Sequence, residues 1–361
     1  MKAAVLHEVG QPLEIEDVEI SKPGPHEVLV RTVAAGVCHS DLHFKDGAYP
    51  YRLPTILGHE SAGVVEQVGS EVRYVEPGDH VITCLSAFCG HCEACLTGHM
   101  SICQSTELER EPEQEPRLSR QGQPVHQFIN LSSFAEQMLI HEHALVKVRK
   151  DMPLDRAALI GCGVTTGVGA VHNTAKVEVG STVAVIGCGG VGLSCINGAA
   201  IAGAGRIIAI DTVGSKLNLA KAFGATDVID ASEGDVPKRI KELTGGGVHY
   251  SFEAIGTKDT AEQAFKMLRP GGTATVIGMI PVGTKIELHG ADFLWERKIQ
   301  GSAMGSNRFR VDMPRYVDFY LSGRLHLDEM VSQRIRLEDV NDALDALRKG
   351  EMARSVIMFD Q

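Results

Sequence analysis

No stretch of this 361-residue chain is dense in lysine and arginine, none is a long unbroken apolar run, and none is an internal repeat or a low-complexity linker. Each absence excludes something. A formal net charge of -11 with no basic block leaves nothing to neutralise a phosphate backbone, so a nucleic-acid partner is not expected. The first residues, Met1-Lys2-Ala3-Ala4-Val5-Leu6-His7-Glu8, meet a charge too early for the apolar segment of a signal peptide. No run reaches the roughly 18 apolar residues of a membrane span. The expectation is a cytoplasmic protein with no membrane contact and a small-molecule substrate. Nine cysteines without a secretory signal are then expected to be reduced thiols, with Cys84, Cys188 and Cys195, which sit in apolar runs, as buried fillers.

What is present suffices for two cores. The length exceeds what one core sustains, and 43% hydrophobic residues, 22% charged residues and 39 glycines suit an α/β protein rich in tight turns. Over the first 150 residues or so, short apolar runs such as Val28-Leu29-Val30 and Ala62-Gly63-Val64-Val65 are divided by Pro23-Gly24-Pro25 and Pro77-Gly78-Asp79, which reads as an irregular β-barrel. From about Thr165 the texture becomes an alternation of strand and amphipathic helix. Strands are expected at 182–186, 206–210, 227–229, 251–254, 273–278 and 298–302, with helices at 193–202, 215–223 and 261–268. Six strands in that order suit a doubly wound parallel sheet. The tail after about Met304 holds a helical stretch, 340–348, and a strand-like 355–359; it is too short for a domain and is expected to fold back onto the first. The polar stretch between Cys103 and Phe134, with its run Glu107-Leu108-Glu109-Arg110-Glu111-Pro112-Glu113-Gln114-Glu115, reads as a solvated loop.

Gly187-Cys188-Gly189-Gly190-Val191-Gly192 fits Gly-x-Gly-x-x-Gly directly after an expected strand and before an expected helix. In that context the glycines let backbone approach a pyrophosphate, whose charge meets unpaired N–H groups at the helix N-terminus. Asp211 ends the next strand, nineteen residues after Gly192, where a carboxylate accepts bonds from ribose hydroxyls and repels a 2′-phosphate. NAD is therefore favoured over NADP, an argument that nearby Lys216 softens.

Four thiols, Cys89, Cys92, Cys95 and Cys103, fall within fifteen residues. Four thiolates fill a tetrahedral zinc and leave no reactive position, so this spacing points to a structural zinc fastening the lobe 89–103; an iron–sulfur cluster is the competing occupant. Three further groups, Cys38, His59 and Cys162, are of the right type for an open zinc site but lie far apart. Two buried cysteines and a hydrogen-bonded histidine are the plainer alternative. A metal is the stronger solution where a hydroxyl must be acidified: bound zinc moves the pKa of water from about 15.7 to about 7, on the order of 12 kcal/mol.

Gly36-Val37-Cys38-His39-Ser40-Asp41, Gly58-His59-Glu60, the four-cysteine lobe, Gly161-Cys162-Gly163-Val164-Thr165-Thr166-Gly167 and the glycine turn occur in one order over nearly the whole chain. In this the sequence resembles the zinc-containing medium-chain dehydrogenase/reductase family, and within it the zinc-dependent alcohol dehydrogenases. The resemblance implies a GroES-like catalytic domain over 1–163, an NAD-binding Rossmann domain over 164–303 and a return of 304–361 to the catalytic domain. It implies two zinc ions, one on Cys38, His59 and Cys162 with Glu60 as an occasional ligand, and Asp41 holding the His59 ring. Ser40 is implied to bind the alcohol and pass its proton through the coenzyme ribose to His43. His39 and Arg354 fall where relatives place basic groups on the pyrophosphate, Thr166 and Val191 at the nicotinamide, and Lys216 at the adenosine ribose. The activity implied is interconversion of an alcohol, preferably primary, and its aldehyde or ketone, in a homodimer or homotetramer. A dehydrogenase of formaldehyde–thiol adducts shares every motif and is the alternative; a polyol or secondary-alcohol enzyme and a non-catalytic dinucleotide-binding relative stand further off.

Overall fold

The computed structural model describes residues 1–111, 113–350 and 353–359. Pro112 of the acidic run and four residues of the tail, Glu351, Met352, Asp360 and Gln361, lie outside the described residues. The chain divides into two compact units, one of Met1–Gly163, Arg308–Ser322 and Leu327–Gln361, the other of Val164–Asn307 and Gly323–His326.

The first unit is built around one long strand, Glu27–Val37, buried along nearly its whole length. Val28-Leu29-Val30 lies inside it, and Ala62-Gly63-Val64-Val65 lies inside its antiparallel neighbour Ser61–Val68. The sheet continues through His80–Thr83 to Leu145–Val148 on one side and through Arg354–Met358 to Val331–Ile335 on the other, while Gln137–His141 also pairs with Glu27–Val37. Register shifts between Leu29 and Val30 and between Thr32 and Ala34 bend the central strand. Such bulges raise local twist and curve a sheet toward closure. A four-stranded sheet runs His126–Gln127, Thr55–Ile56, Lys2–Leu6, Glu14–Asp17. The side chains of Val5, Ile56, Phe128, Phe134 and Leu344 pack between these elements with no exposure.

The stretch between Cys103 and Phe134 is not a solvated loop throughout. Glu107, Glu109 and Glu111 are exposed, but Leu108, Leu118, Phe128 and Leu131 are buried, and short strands form at Leu118–Arg120, Gln123–Pro124 and His126–Gln127. What holds it is a charge clamp. Arg110 and Arg117 both pair with the buried Glu27, Arg117 Nε donating to Oε1 at 2.7 Å. Arg117 also donates to the Leu108 carbonyl at 2.6 Å, and Arg110 to the Lys22 carbonyl at 2.9 Å. The charge run hid this because the anchoring partner lies more than eighty residues away.

The second unit is a six-stranded, all-parallel sheet. Numbered in chain order as Thr182–Ile186, Arg206–Asp211, Asp227–Asp230, Val248–Glu253, Leu268–Val276 and Lys298–Gly301, its strands lie side by side in the order 3-2-1-4-5-6. The strand order reverses between strands 1 and 4, the switch point at which doubly wound sheets bind ligands. Helices Gly190–Ile201, Gly214–Ala222 and Lys258–Lys266 stand where the alternation places them. Sequence reading passes over a fourth, Val236–Thr244, despite its Asp235 N-cap and left-handed Gly245. In the first unit it likewise passes over Phe309–Leu321, which carries Pro314 in its interior.

One helix, Leu154–Ala175, is long and apolar enough to cross a membrane. Counting unbroken apolar runs misses it because glycine, threonine and histidine interrupt the run. Because most of it is buried inside the protein, it is a core helix.

The clamp on Glu27 is testable. Burial opposes its charge, but Arg110 and Arg117 outweigh burial and lower its pKa from 4.5 to about 2. A carboxylate with a depressed folded-state pKa stabilises fully above the unfolded value, so this contribution is complete above pH 4.5 and is lost as pH falls towards about 2. Glu27→Ala leaves the buried Arg117 guanidinium unpaired and is expected to cost about 3–5 kcal/mol. Thermal melting at neutral pH and proteolytic nicking of 104–133 read the effect, and the difference from the natural chain should shrink in acid.

Candidate active site and metal centres

Three distant elements of the first unit converge on one buried point. Cys38 follows the central strand and caps helix His39–Lys45, His59 precedes strand Ser61–Val68, and Cys162 lies in a π-helical turn, Ile160–Val164. Such a turn inserts an extra residue and re-aims the side chains around it. The ligand atoms of Cys38, His59 and Cys162 all lie within 4.8 Å of one another, and the residues are 3%, 0% and 5% exposed.

Asp41, buried on the same helix, holds two of the three. Its Oδ2 accepts from the Cys38 amide at 3.0 Å, and its Oδ1 accepts from the Gly58 amide at 3.1 Å and from His59 Nδ1 at 3.0 Å. In the neutral ring, Nδ1 donating to Asp41 leaves the lone pair on Nε2, which is buried without a hydrogen-bond partner. Behind this group, Glu60 Oε2 accepts from the Gly163 amide at 2.9 Å and Oε1 faces Arg354 Nε at 3.3 Å. Arg354 reaches this position because strand Arg354–Met358 pairs with Glu27–Val37 and residue 163 lacks a side chain: a Cβ there would stand 2.7 Å from Arg354 Nη2.

The electrostatics follow from burial and proximity. A hydrogen bond from Cys162 lowers the Cys38 thiol well below its usual value against the penalty of burial, with Arg354, whose Nη2 is 3.6 Å from Cys38 Sγ, adding to the effect. The same pairing pushes Cys162 well up. Burial penalises a charged His59, yet Asp41 and Cys38 raise its pKa well above the imidazole norm. Burial carries Glu60 up to about 7 in spite of Arg354. Two sulfurs and one orphaned imidazole nitrogen, enclosed and close together, form a donor set that suits zinc with a fourth position left open.

The four cysteines of the lobe also converge, with all sulfurs within 4.8 Å. Cys89 and Cys95 sulfurs are 3.9 Å apart and those of Cys92 and Cys103 are 3.8 Å apart. A tetrahedral ion with bonds of about 2.3 Å sets sulfurs about 3.8 Å apart, so the cage has the dimensions of a zinc–thiolate site. The Cys92 amide donates to Cys89 Sγ at 3.3 Å and the Cys89 amide to Cys103 Sγ at 3.4 Å, which favours thiolates. Leu96 and Ile102 are 73% and 53% exposed, so the lobe has little apolar packing of its own.

Ser40, His43 and His39 share the helix that carries Asp41. Ser40 Oγ lies 3.7 Å from Cys38 Sγ; His43 is half-buried between the rings of His39 and Tyr49, each 6.4 Å away; His39 is exposed. Arg354, expected at the coenzyme pyrophosphate, is 2% exposed and faces Glu60 and Cys38.

In the second unit, Gly189 caps helix Gly190–Ile201, and the turn before it is as tight as its glycines suggest. Gly187 has φ +93°, and a Cβ on Gly192 would stand 1.7 Å from the Gly187 oxygen. Asp211 ends strand 2, where Oδ2 accepts from the Cys188 amide at 2.8 Å and Oδ1 from the Val213 amide at 3.0 Å. Lys216 lies on the following helix, and Val191 in the first turn of Gly190–Ile201. Thr166 Oγ1 contacts Met304 Sδ at 3.2 Å. Sequence reading missed that contact. Met304, Gly305 and Ser306 all have positive φ, 48°, 69° and 46°, and Thr174 Oγ1 binds Ser306 Oγ at 2.7 Å. Non-glycine residues held there store about 1–3 kcal/mol each and gather at ligand sites; only Gly305 hinted at the turn.

A doubly wound sheet with this glycine turn, in a chain whose barrel gathers one open set of two thiols and an imidazole and one closed set of four thiols, defines an oxidoreductase of the zinc-binding dehydrogenase class. Residues 24–150 match the alcohol dehydrogenase GroES-like domain and residues 190–322 the zinc-binding dehydrogenase domain. The chain belongs to the zinc-dependent alcohol dehydrogenase family. It is similar to an alcohol dehydrogenase class-3 of Drosophila melanogaster, 41% identical over 99% of this chain and 97% of the relative. It is 40% identical to an S-(hydroxymethyl)glutathione dehydrogenase of Synechocystis over 99% of both chains. Among solved structures, benzyl alcohol dehydrogenase from Acinetobacter calcoaceticus superposes with a TM-score of 0.94 at 35% identity over 99% of each chain.

Asp41→Asn keeps the shape but loses the charge behind His59. Metal affinity at the Cys38 site is expected to fall about 10–100-fold, measured by chelator competition, while the four-cysteine site serves as an unchanged reference.

Proposed function

We propose that this chain interconverts an alcohol, preferably primary, and its carbonyl compound by hydride exchange with NAD, holding two zinc ions. The observation that carries the reading is the orphaned His59 Nε2, buried beside two thiols with Asp41 fixing its tautomer. Cys38, His59 and Cys162 would hold one zinc, with Glu60 in reserve as a further ligand; Cys89, Cys92, Cys95 and Cys103 would hold the other. A zinc ion held by the first set would supply the Lewis acidity that makes a hydroxyl acidic. Ser40 accepts the hydrogen bond from that hydroxyl, and His43 takes the proton towards solvent. Asp41 keeps the imidazole in its ligating orientation, and Arg354 neutralises Glu60 and the Cys38 thiolate in their enclosed setting. Gly187, Gly189, Gly190 and Gly192 seat the dinucleotide, Asp211 and Lys216 meet its adenosine ribose, Thr166 and Val191 flank the nicotinamide, and His39 offers a cation to the pyrophosphate.

A second reading, oxidation of a formaldehyde–thiol adduct, draws support from the names of several relatives, including that of Synechocystis. The two separate on added thiol. Zinc content per chain is expected to be two in the natural protein and one in Cys38→Ser, with NADH formation from primary alcohols lost in the variant. One zinc in both proteins would sink the metal mechanism, and turnover only with formaldehyde plus a thiol would favour the second reading.

Self-association fits the outer edge of the parallel sheet. Among the described residues, strand Lys298–Gly301 pairs on one side only, and Val282, Leu294 and Trp295 near it in sequence are 70%, 86% and 63% exposed. Large apolar exposure beside an open strand edge is normally covered by a partner. A second copy is the expected occupant, so Leu294→Glu should shift sedimentation from a dimer or larger assembly towards monomer.

A further inference from the structure

Glu253 ends strand 4 of the parallel sheet, fully buried, and forms no ion pair among the described residues. An enclosed carboxyl without a cation is costly, so it persists where its hydrogen bonds fix something else. Three donors converge on Oε1: the Ile255 amide at 2.8 Å, the Gly256 amide at 2.7 Å and the Thr260 hydroxyl at 2.8 Å. Oε2 is buried with no partner. The backbone closes tightly around the group, since a Cβ on Gly278 would stand 2.6 Å from Oε2 and 2.1 Å from the Gly256 nitrogen.

The turn so pinned lies at the switch point. Ile186 pairs with Glu253 in register, and the Ala254 amide donates to the Ile186 carbonyl at 2.9 Å, so the turn stands beside the glycine turn that begins at Gly187. It presents Ile255, an apolar side chain 45% exposed, whose Cγ1 would be 2.7 Å from a Cβ at Gly187. An exposed isoleucine held rigidly over a phosphate-binding turn supplies an apolar wall for a flat ring or sugar. Left loose, the same residue would have to be ordered whenever ligand bound, which weakens affinity.

We infer that Glu253 is a positioning residue of the dinucleotide site, acting through the turn Ala254–Gly256 to hold Ile255 against the coenzyme. This rests on the NAD reading above. The test is a double-mutant cycle read by NADH binding, using fluorescence or calorimetry on the full-length protein. Glu253→Ala and Ile255→Ala are each expected to weaken NADH by about tenfold, and the double variant to be little worse than either, because the two act as one unit. Glu253→Gln keeps an acceptor for the same three donors and should restore affinity to within about twofold of the natural chain. If Glu253→Ala does not fold, Thr260→Val, which removes one donor to Oε1, takes its place in the cycle with Ile255→Ala.

Unchanged NADH affinity in the first variant, or losses that simply add in the double variant, would overturn the inference. So would a Glu253→Gln protein as weak as Glu253→Ala, since geometry would then not be what the carboxyl provides. A natural chain that binds no NADH would bring down the coenzyme reading itself, a result distinct from a natural chain that binds and variants that bind equally well.

Discussion

Three hydrogen bonds converge on the buried carboxylate of Asp41, from the amides of Cys38 and Gly58 and from His59 Nδ1. One group thereby fixes the backbone at the first thiol, the backbone before the imidazole, and the tautomer of the imidazole. The central strand and its bulges deliver the chain to Cys38, and the π-turn brings Cys162 to the same place. Had any of these been a degree of freedom, the three donors would not be held within 4.8 Å of one another, and ordering them would cost conformational entropy.

The same site shows how charge is kept inside. Glu60 and Arg354 face each other with almost no exposure, and Arg354 also faces the Cys38 sulfur. A lone buried charge is destabilising, whereas an alternating group of carboxylate, guanidinium and thiolate compensates itself. The four-cysteine lobe poses a different problem, since its exposed leucine and isoleucine leave it little apolar cohesion while its four sulfurs converge within 4.8 Å of one another.

In the parallel sheet, fit is set by backbone meeting backbone. The glycine turn after strand 1, the turn after strand 4 and the start of the loop after strand 5 stand closer together than side chains allow, with Asp211 and Glu253 each accepting amide hydrogens from the turns they support. Both are carboxyls at strand ends that hold backbone in place.

Much of this was legible in the sequence because it is local. Six parallel strands, the glycine turn with its acid, and the four-cysteine spacing each depend on residues close in the chain, so periodicity and spacing carry them; the terminal helix, Val340–Arg348, falls where its apolar period puts it. The rest is non-local. That Glu27 clamps Arg110 and Arg117, that Arg354 is buried against Glu60, and that Glu253 supports Ile255 depend on partners brought together by sheet register and strand ends. The types and order of Cys38, His59 and Cys162 suggested a metal through resemblance, but composition alone left two buried thiols and a hydrogen-bonded histidine equally open. Only the folded chain, by bringing three atoms within 4.8 Å and leaving His59 Nε2 without a partner, decided that these residues share one enclosed place.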